Sequence, residues 1–259
     1  MPARHASTRF PGKPLVPLRG ATGVSKPLIR RSWEAAVAAV GEADVVVATD
    51  DGRIADAARG FGARVAMTPA DCRNGTERCA AALAGLGDVD VVVNLQGDAP
   101  LTPPAVVRRL LDLLREEPEA QVATPAVRAA GPVHRRLLAD QAAGRVGGTT
   151  VAASRAGEAL YFSKAVIPHV PADRAGDPDL PVLLHLGIYA YRRPALELYA
   201  ASPPSVLEEL EGLEQLRFLD QGVPVRVAEV DLGGMEMWEL NNPSDIEPIE
   251  AALRARGIE

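Results

Sequence analysis

Val89-Asp90-Val91-Val92-Val93-Asn94-Leu95-Gln96-Gly97-Asp98-Ala99-Pro100 is the stretch that decides the fold class. Residues 89–95 form a nearly continuous apolar run rich in β-branched side chains, the pattern of a strand buried on both faces. The run ends in a Gly-Asp turn. Pro103-Pro104 then opens a helical pattern that sets Val106, Val107, Leu110, Leu111 and Leu114 on one face. The same order occurs upstream. Residues 45–49 read as a buried strand, and Asp50-Asp51 opens a helix carrying Ile54, Ala57 and Ala58. A short strand at 64–67, a Gly- and Asn-containing loop and a helix from about Thr76 follow. Buried strands separated by helices imply parallel pairing, so the fold class is α/β with a doubly wound, mostly parallel sheet.

Beyond residue 122 the pattern loosens. Strand-like pieces at 122–127, 146–153 and 186–191 flank a Pro- and Asp-rich stretch at 168–181. The expected organisation is a single domain over 1–259, with an insertion at about 122–195 serving dimerisation or acceptor binding. A helix over about 206–220, a strand at 223–227 and a terminal helix from Pro243 complete the reading. The opening, Met1-Pro2-Ala3-Arg4, reads as a loop with no strand before it. A doubly wound sheet places its phosphate loop directly after its first central strand. The expectation is therefore that the fold dispenses with that strand or that the native start lies upstream of Met1.

Composition narrows the function. With 47% hydrophobic residues in 259 there is material for a large core, and no apolar run approaches the roughly 18 residues of a membrane span. No signal-peptide pattern opens the chain, so a cytoplasmic location and no membrane partner are expected. A formal net charge of -6 argues against a nucleic-acid partner, which needs a basic face. Two cysteines and four histidines with no zinc spacing leave a Cys/His metal cluster without support. The arginine pairs at 30–31, 108–109 and 135–136 read as solvated faces.

Two segments carry chemistry. The loop Pro2-Ala3-Arg4-His5-Ala6-Ser7-Thr8-Arg9-Phe10-Pro11-Gly12-Lys13-Pro14-Leu15 gathers cations, small hydroxyl residues and a glycine. Backbone N–H groups and cations can surround phosphates there, and small side chains permit close approach. Its spacing is not that of a Walker A loop, and no G-x-G-x-x-G follows a strand, which removes a dehydrogenase reading. The second segment is the Gln96-Gly97-Asp98 turn. A carboxylate at the carboxyl end of a parallel strand lies at the ligand edge of the sheet, and Mg²⁺ takes one or two carboxylates plus substrate phosphates. Asp98 is the expected metal ligand.

Six motifs in order give these segments a context: PARxASTRxPGKPL, GTER at 75–78, NLQGD at 94–98, YFSK at 161–164, HLGIYAYRR from His185 and LEQLR from Leu213. Together they resemble the 3-deoxy-manno-octulosonate (Kdo) cytidylyltransferases over nearly the whole chain. The resemblance implies a nucleotidyltransferase, GT-A-like fold with an inserted dimerisation region, and a homodimer. It implies that Arg4 and Lys13 bind the triphosphate with Ser7 and Arg9 beside them, and that Arg78, Gln96 and the Ala6 backbone read the cytosine and substrate edges. Asp98 would bind Mg²⁺, and His185, Tyr189, Glu214 and Gln215 would line the sugar-acid pocket. Lys13, Arg4 and Asp98 become the expected catalytic residues.

Three positions depart from the family pattern. Asn241 stands where an aspartate usually binds the metal, Gly147-Gly148 replace a lysine-bearing strand, and Ala99 replaces a glutamate. The implied reaction is Mg²⁺-dependent transfer of CMP from CTP to a small anionic acceptor with release of pyrophosphate. The acceptor is a Kdo-type sugar acid or, given the departures, a small phosphonate such as phosphonoformate in phosphonate biosynthesis. A non-catalytic nucleotide-binding homologue is the third reading.

Overall fold

The fold is that of a computed structural model, which describes residues 1–6, 10–174, 177, 179–235 and 237–259. The chain divides into two compact units, residues 1–108 with 234–259 and residues 109–233. The second unit thus extends past 122 and 195 at both ends.

In the first unit, β1 (Pro2–Ala3) is followed by the hairpin β2 (Pro17–Arg19) and β3 (Ser25–Pro27), then α1 (Leu28–Val40). The chain continues through β4 (Val46–Thr49), α2 (Gly52–Gly60), β5 (Arg64–Met67), α3 (Gly75–Leu83) and β6 (Val91–Asn94). Helix α4 (Pro104–Glu116) leads into the second unit. Strands β1, β4 and β5 pair in parallel, with Ala3 opposite Thr49 and Val46 to Thr49 opposite Arg64 to Met67. The chain therefore opens in a strand and not in a loop: Pro2 and Ala3 are in register with β4, and the Met1 carbonyl accepts the Ala48 N–H at 2.9 Å. Sequence reading missed it because two residues carry no periodicity. Helix α2 starts where expected, its cap being Asp51, whose carboxylate accepts the Arg53 N–H.

Helix α1 buries Leu28, Ile29, Ser32, Trp33, Ala36 and Ala39, a stripe at helical spacing. Arg31 joins that buried face, which corrects its reading as a solvated residue. Its Nε and Nη2 donate to the Leu18 carbonyl at 3.0 and 2.8 Å, and Nη2 also reaches the Val24 carbonyl at 2.9 Å. The guanidinium thus fastens the hairpin that residues 20–26 close.

The second unit contains β7 (Val122–Arg128), α5 (Pro132–Ala142), β8 (Thr150–Ala153), β9 (Ala159–Ser163), β10 (Leu183–His185), β11 (Tyr189–Arg192), α6 (Arg193–Ala201), α7 (Val206–Glu211), α8 (Leu216–Asp220) and β12 (Val225–Glu229). Helix α9 (Ile246–Ala255) returns to the first unit. Strand β7 is the axis of the second unit, parallel to β12 along one edge and antiparallel to β10 and β11 along the other. Strand β8 extends the sheet antiparallel to both β10 and β9.

The ladder facing β10 and β11 is interrupted between Ala126↔His185 and Ala123↔Ala190. Pro125 lies opposite this gap and has no N–H to donate there.

Two expectations fail here. The strand read at 146–153 is confined to Thr150–Ala153, since at Gly148, with φ 159°, a Cβ would lie 2.6 Å from Leu184 Cδ1. The glycines make room for the protein's own Leu184 and Asp140. The helix expected over 206–220 is two helices, because Gly212 adopts a left-handed conformation (φ 60°) and ends α7. Among the described residues, no helix is long and apolar enough to cross a membrane.

Candidate active site

The turn after β6 lies directly against β1. The Gly97 N–H donates to the Pro2 carbonyl at 3.1 Å, and a Cβ at Gly97 would sit 2.8 Å from that oxygen. Only glycine permits this approach, and it delivers Asp98 to the loop that leaves β1. The Asp98 carboxylate forms an ion pair with Lys13 Nζ, the two side chains being 20% and 14% exposed. Lys13 starts a short 3₁₀ turn, Lys13–Leu15, whose entry is held by Gly12 N–H to the His5 carbonyl at 3.0 Å. The cationic loop is thereby closed on itself, with Arg4 and Ala6 exposed. Ser7 and Arg9 lie outside the described residues.

The Asp98 carbonyl accepts the Leu240 N–H at 3.0 Å, which sets Asn241 one residue from this contact. Asp245 does not face the same way: its Oδ2 accepts the N–H groups of Asn241 and Asn242 at 2.9 and 2.7 Å and caps the turn before α9.

The GTER motif meets the NLQGD motif. Asn74 Oδ1 caps α3 by accepting the Glu77 N–H at 2.9 Å, and a Cβ on Gly75 would come within 3.0 Å of Gln96 Nε2 and 3.1 Å of Asn94 Nδ2. Gln96 Nε2 in turn donates to Asn94 Oδ1 at 3.4 Å. Arg78 projects from α3 into the interior, 3% exposed. Its Nη1 donates to Thr68 Oγ1 at 2.6 Å and pairs electrostatically with Asp50 Oδ1 at 3.1 Å. Sequence reasoning missed Asp50 and Thr68. Asp50 could have been found by the rule that singled out Asp98, since it follows the carboxyl end of the parallel strand β4.

A second polar cluster lies within the second unit. His185, at the end of β10, is 9% exposed, and its Nε2 is 2.8 Å from Thr124 Oγ1 on β7. Its ring meets Phe162 edge-on at 5.1 Å and Tyr189 at 5.4 Å between centroids. Burial pushes the imidazole pKa down to about 3, so it is neutral at pH 7. Tyr189 Oη donates to Gln215 Oε1 at 3.0 Å, and half-buried Glu214 precedes that glutamine. The chain turns between α7 and α8 here, and Arg217 holds the turn. Its Nε and Nη2 bind Glu208 Oε2 and Oε1 at 2.6 and 2.7 Å, and the guanidinium stacks 3.9 Å from the Tyr199 ring centroid. Of the four residues expected in an acceptor pocket, ring contact and hydrogen bonding link His185, Tyr189 and Gln215. Thr124 was not anticipated; a threonine within a strand gives no signal of its own.

The family model for cytidylyltransferases matches residues 1–228. The chain belongs to the cytidylyltransferase family. This cytidylyltransferase is 45% identical over 258 residues to the 3-deoxy-manno-octulosonate cytidylyltransferase of Maricaulis maris (strain MCS10), covering 99% of this chain and 96% of that protein. It is 40% identical over 262 residues to the 8-amino-3,8-dideoxy-manno-octulosonate cytidylyltransferase of Shewanella halifaxensis (strain HAW-EB4), covering 98% and 96%. Among solved structures, a CMP:2-keto-3-deoxy-manno-octonic acid synthetase complexed with CTP matches with a TM-score of 0.83 at 34% identity, over 98% of this chain and 97% of that one. The cytidylyltransferase therefore has the nucleotidyltransferase α/β fold that its motifs implied.

Proposed function

We propose that this cytidylyltransferase transfers CMP from CTP to a Kdo-type sugar acid, releases pyrophosphate, requires Mg²⁺ and works as a homodimer. The observation that carries the reading is the pairing of Lys13 with Asp98 at the carboxyl end of β6, in a chain 34% identical to a CTP-complexed synthetase. The acceptor class follows the relatives, whose names specify Kdo and its 8-amino analogue.

The residues fit a magnesium ion bound mainly through substrate. Among the described residues no group of three or more His, Cys, Asp or Glu side chains could hold a metal. One carboxylate, Asp98, and the amide oxygen of Asn241 are hard oxygen donors of the kind Mg²⁺ takes, with phosphates completing its shell. When bound, the ion supplies charge neutralisation between nucleotide and acceptor.

The chain's own part is positioning and electrostatics, which dominate phosphoryl and nucleotidyl transfer. The ion pair with Asp98 keeps the Lys13 ammonium at the strand end, where it stabilises charge growing on the α-phosphate as the acceptor oxygen attacks in line. Arg4 and Arg9 hold the β- and γ-phosphates. Gln96 and Arg78, the latter fixed by Thr68 and Asp50, read the base. In the second unit His185, Tyr189, Glu214 and Gln215 recognise the acceptor. The glycines at 147–148 accommodate protein side chains, which removes one reason for invoking a phosphonate.

Pyrophosphate release from CTP and Mg²⁺ tests the proposal, with Kdo, its 8-amino analogue, neuraminic acid and phosphonoformate as acceptors. Turnover with Kdo or its analogue is expected. Turnover confined to phosphonoformate would replace the acceptor class, and none with any acceptor would favour a nucleotide-binding homologue.

A further inference from the structure

We propose that Thr124 fixes His185 as its Nε2–H tautomer, so that the Nδ1 lone pair accepts a hydroxyl hydrogen of the acceptor substrate. The second half of this inference rests on the acceptor role given to His185 above. The first half stands on the hydrogen-bond geometry around Thr124 and on a neutral ring.

A threonine hydroxyl has one hydrogen to donate. Thr124 Oγ1 lies 2.7 Å from the Ile188 carbonyl and 3.5 Å from the Leu186 carbonyl, both of which only accept. An oxygen–oxygen separation of 2.7 Å is a hydrogen bond, so the single proton points at Ile188. The same Oγ1 is 2.8 Å from His185 Nε2. With its hydrogen engaged, the hydroxyl meets that nitrogen with a lone pair, and the nitrogen must carry the proton. A neutral imidazole has one N–H, which leaves Nδ1 as an acceptor. That neutral state is the one enforced by burial against Phe162 and Tyr189.

The backbone explains why Thr124 is available. The carbonyls of Leu186 and Ile188 belong to the chain between β10 and β11, opposite the ladder gap at Pro125. Leu186 N–H reaches the Pro125 carbonyl at 3.0 Å, and the Thr124 side chain takes over the contact with Ile188 that a ladder N–H would make. Nδ1 has no hydrogen-bond partner among the described residues, and His185 as a whole keeps 9% of its surface exposed. An acceptor nitrogen selects for O–H donors on the substrate and not for its carboxylate. Thr124 is thus a positioning residue, acting through His185.

Long-range ¹H–¹⁵N correlation on the ligand-free wild-type protein reads the tautomer, with His185 assigned from the His185→Asn variant. A neutral Nε2–H pattern is expected, and an Nδ1–H pattern would overturn the proposal. Steady-state kinetics of Thr124→Val, which removes the hydroxyl at nearly constant shape, reads the consequence. The KM for Kdo should rise about tenfold, the worth of one hydrogen bond, while the KM for CTP stays put. Thr124→Ser should restore it. An unchanged KM for Kdo in folded Thr124→Val would refute the positioning role. Absence of turnover by the wild type with any sugar acid would overturn the hydroxyl contact together with the function proposed above, and the tautomer would still be decided by the spectrum.

Discussion

Two side chains, Lys13 and Asp98, form an ion pair where β6 ends, and the proposed reaction uses both. Lys13→Ala removes the cation proposed for the α-phosphate, and Asp98→Asn removes the carboxylate proposed for the metal. Each should lower kcat by about 10²–10³ with little change in fold, as loss of a transition-state contact does; near-normal turnover in either variant would reject the assigned role. His185 gives a second prediction, about pH. Its pKa is near 6.5 in an unfolded chain and about 3 when folded, so below pH 6.5 the unfolded state binds one proton more. Stability therefore rises with pH between about 3 and 6.5, with a contribution from this residue of at most about 1.4 kcal/mol per pH unit. Urea unfolding at pH 7 and pH 5 should show this slope in the wild type and its loss in His185→Asn. An identical slope in both proteins would mean that His185 is not held neutral.

Helices α7 and α8 are joined through the Glu208–Arg217 pair, with Arg217 1% exposed. Arg217→Ala leaves a carboxylate buried without its counter-ion and should cost about 3–5 kcal/mol of unfolding free energy, measured by urea titration. A cost below 1 kcal/mol would mean that the pair does not hold the two helices together. This element also shows where sequence reading stops. Periodicity ran one helix through 206–220, since Gly212 weakens a helical pattern without cancelling it, and only backbone geometry shows its left-handed turn. The strand ending at Thr49 was legible because a buried parallel strand is a continuous apolar run, and the half-buried strand ending at Asn94 carries a similar run. Asp98 was singled out by its place after such a strand, whereas Gln96 was reached only through the family motifs. Thr124 and Thr68 act through contacts with residues elsewhere in the sequence, which no local pattern encodes. Arg31 was misjudged because a guanidinium can be buried when carbonyls receive it, and those carbonyls belong to another element.

At the level of the molecule, the second unit exposes Leu160, Val206 and Leu210, at 65%, 70% and 80%. These side chains favour the proposed homodimer. Sedimentation equilibrium should give twice 27.3 kDa, and Leu210→Asp should shift the mass toward one copy; a wild-type monomer at micromolar concentration would reject the dimer. The division of the chain has a further consequence. The core that seats Leu18, Leu28 and Leu101 is completed by Leu240, Ile249 and Leu253, so the first unit is built from both sides of the second. During synthesis on the ribosome, residues 1–108 emerge first yet lack these three partners until about residue 253 has left the exit tunnel. The unit that begins the chain is the last able to close, and its apolar surface is exposed to chaperones while the whole second unit is made.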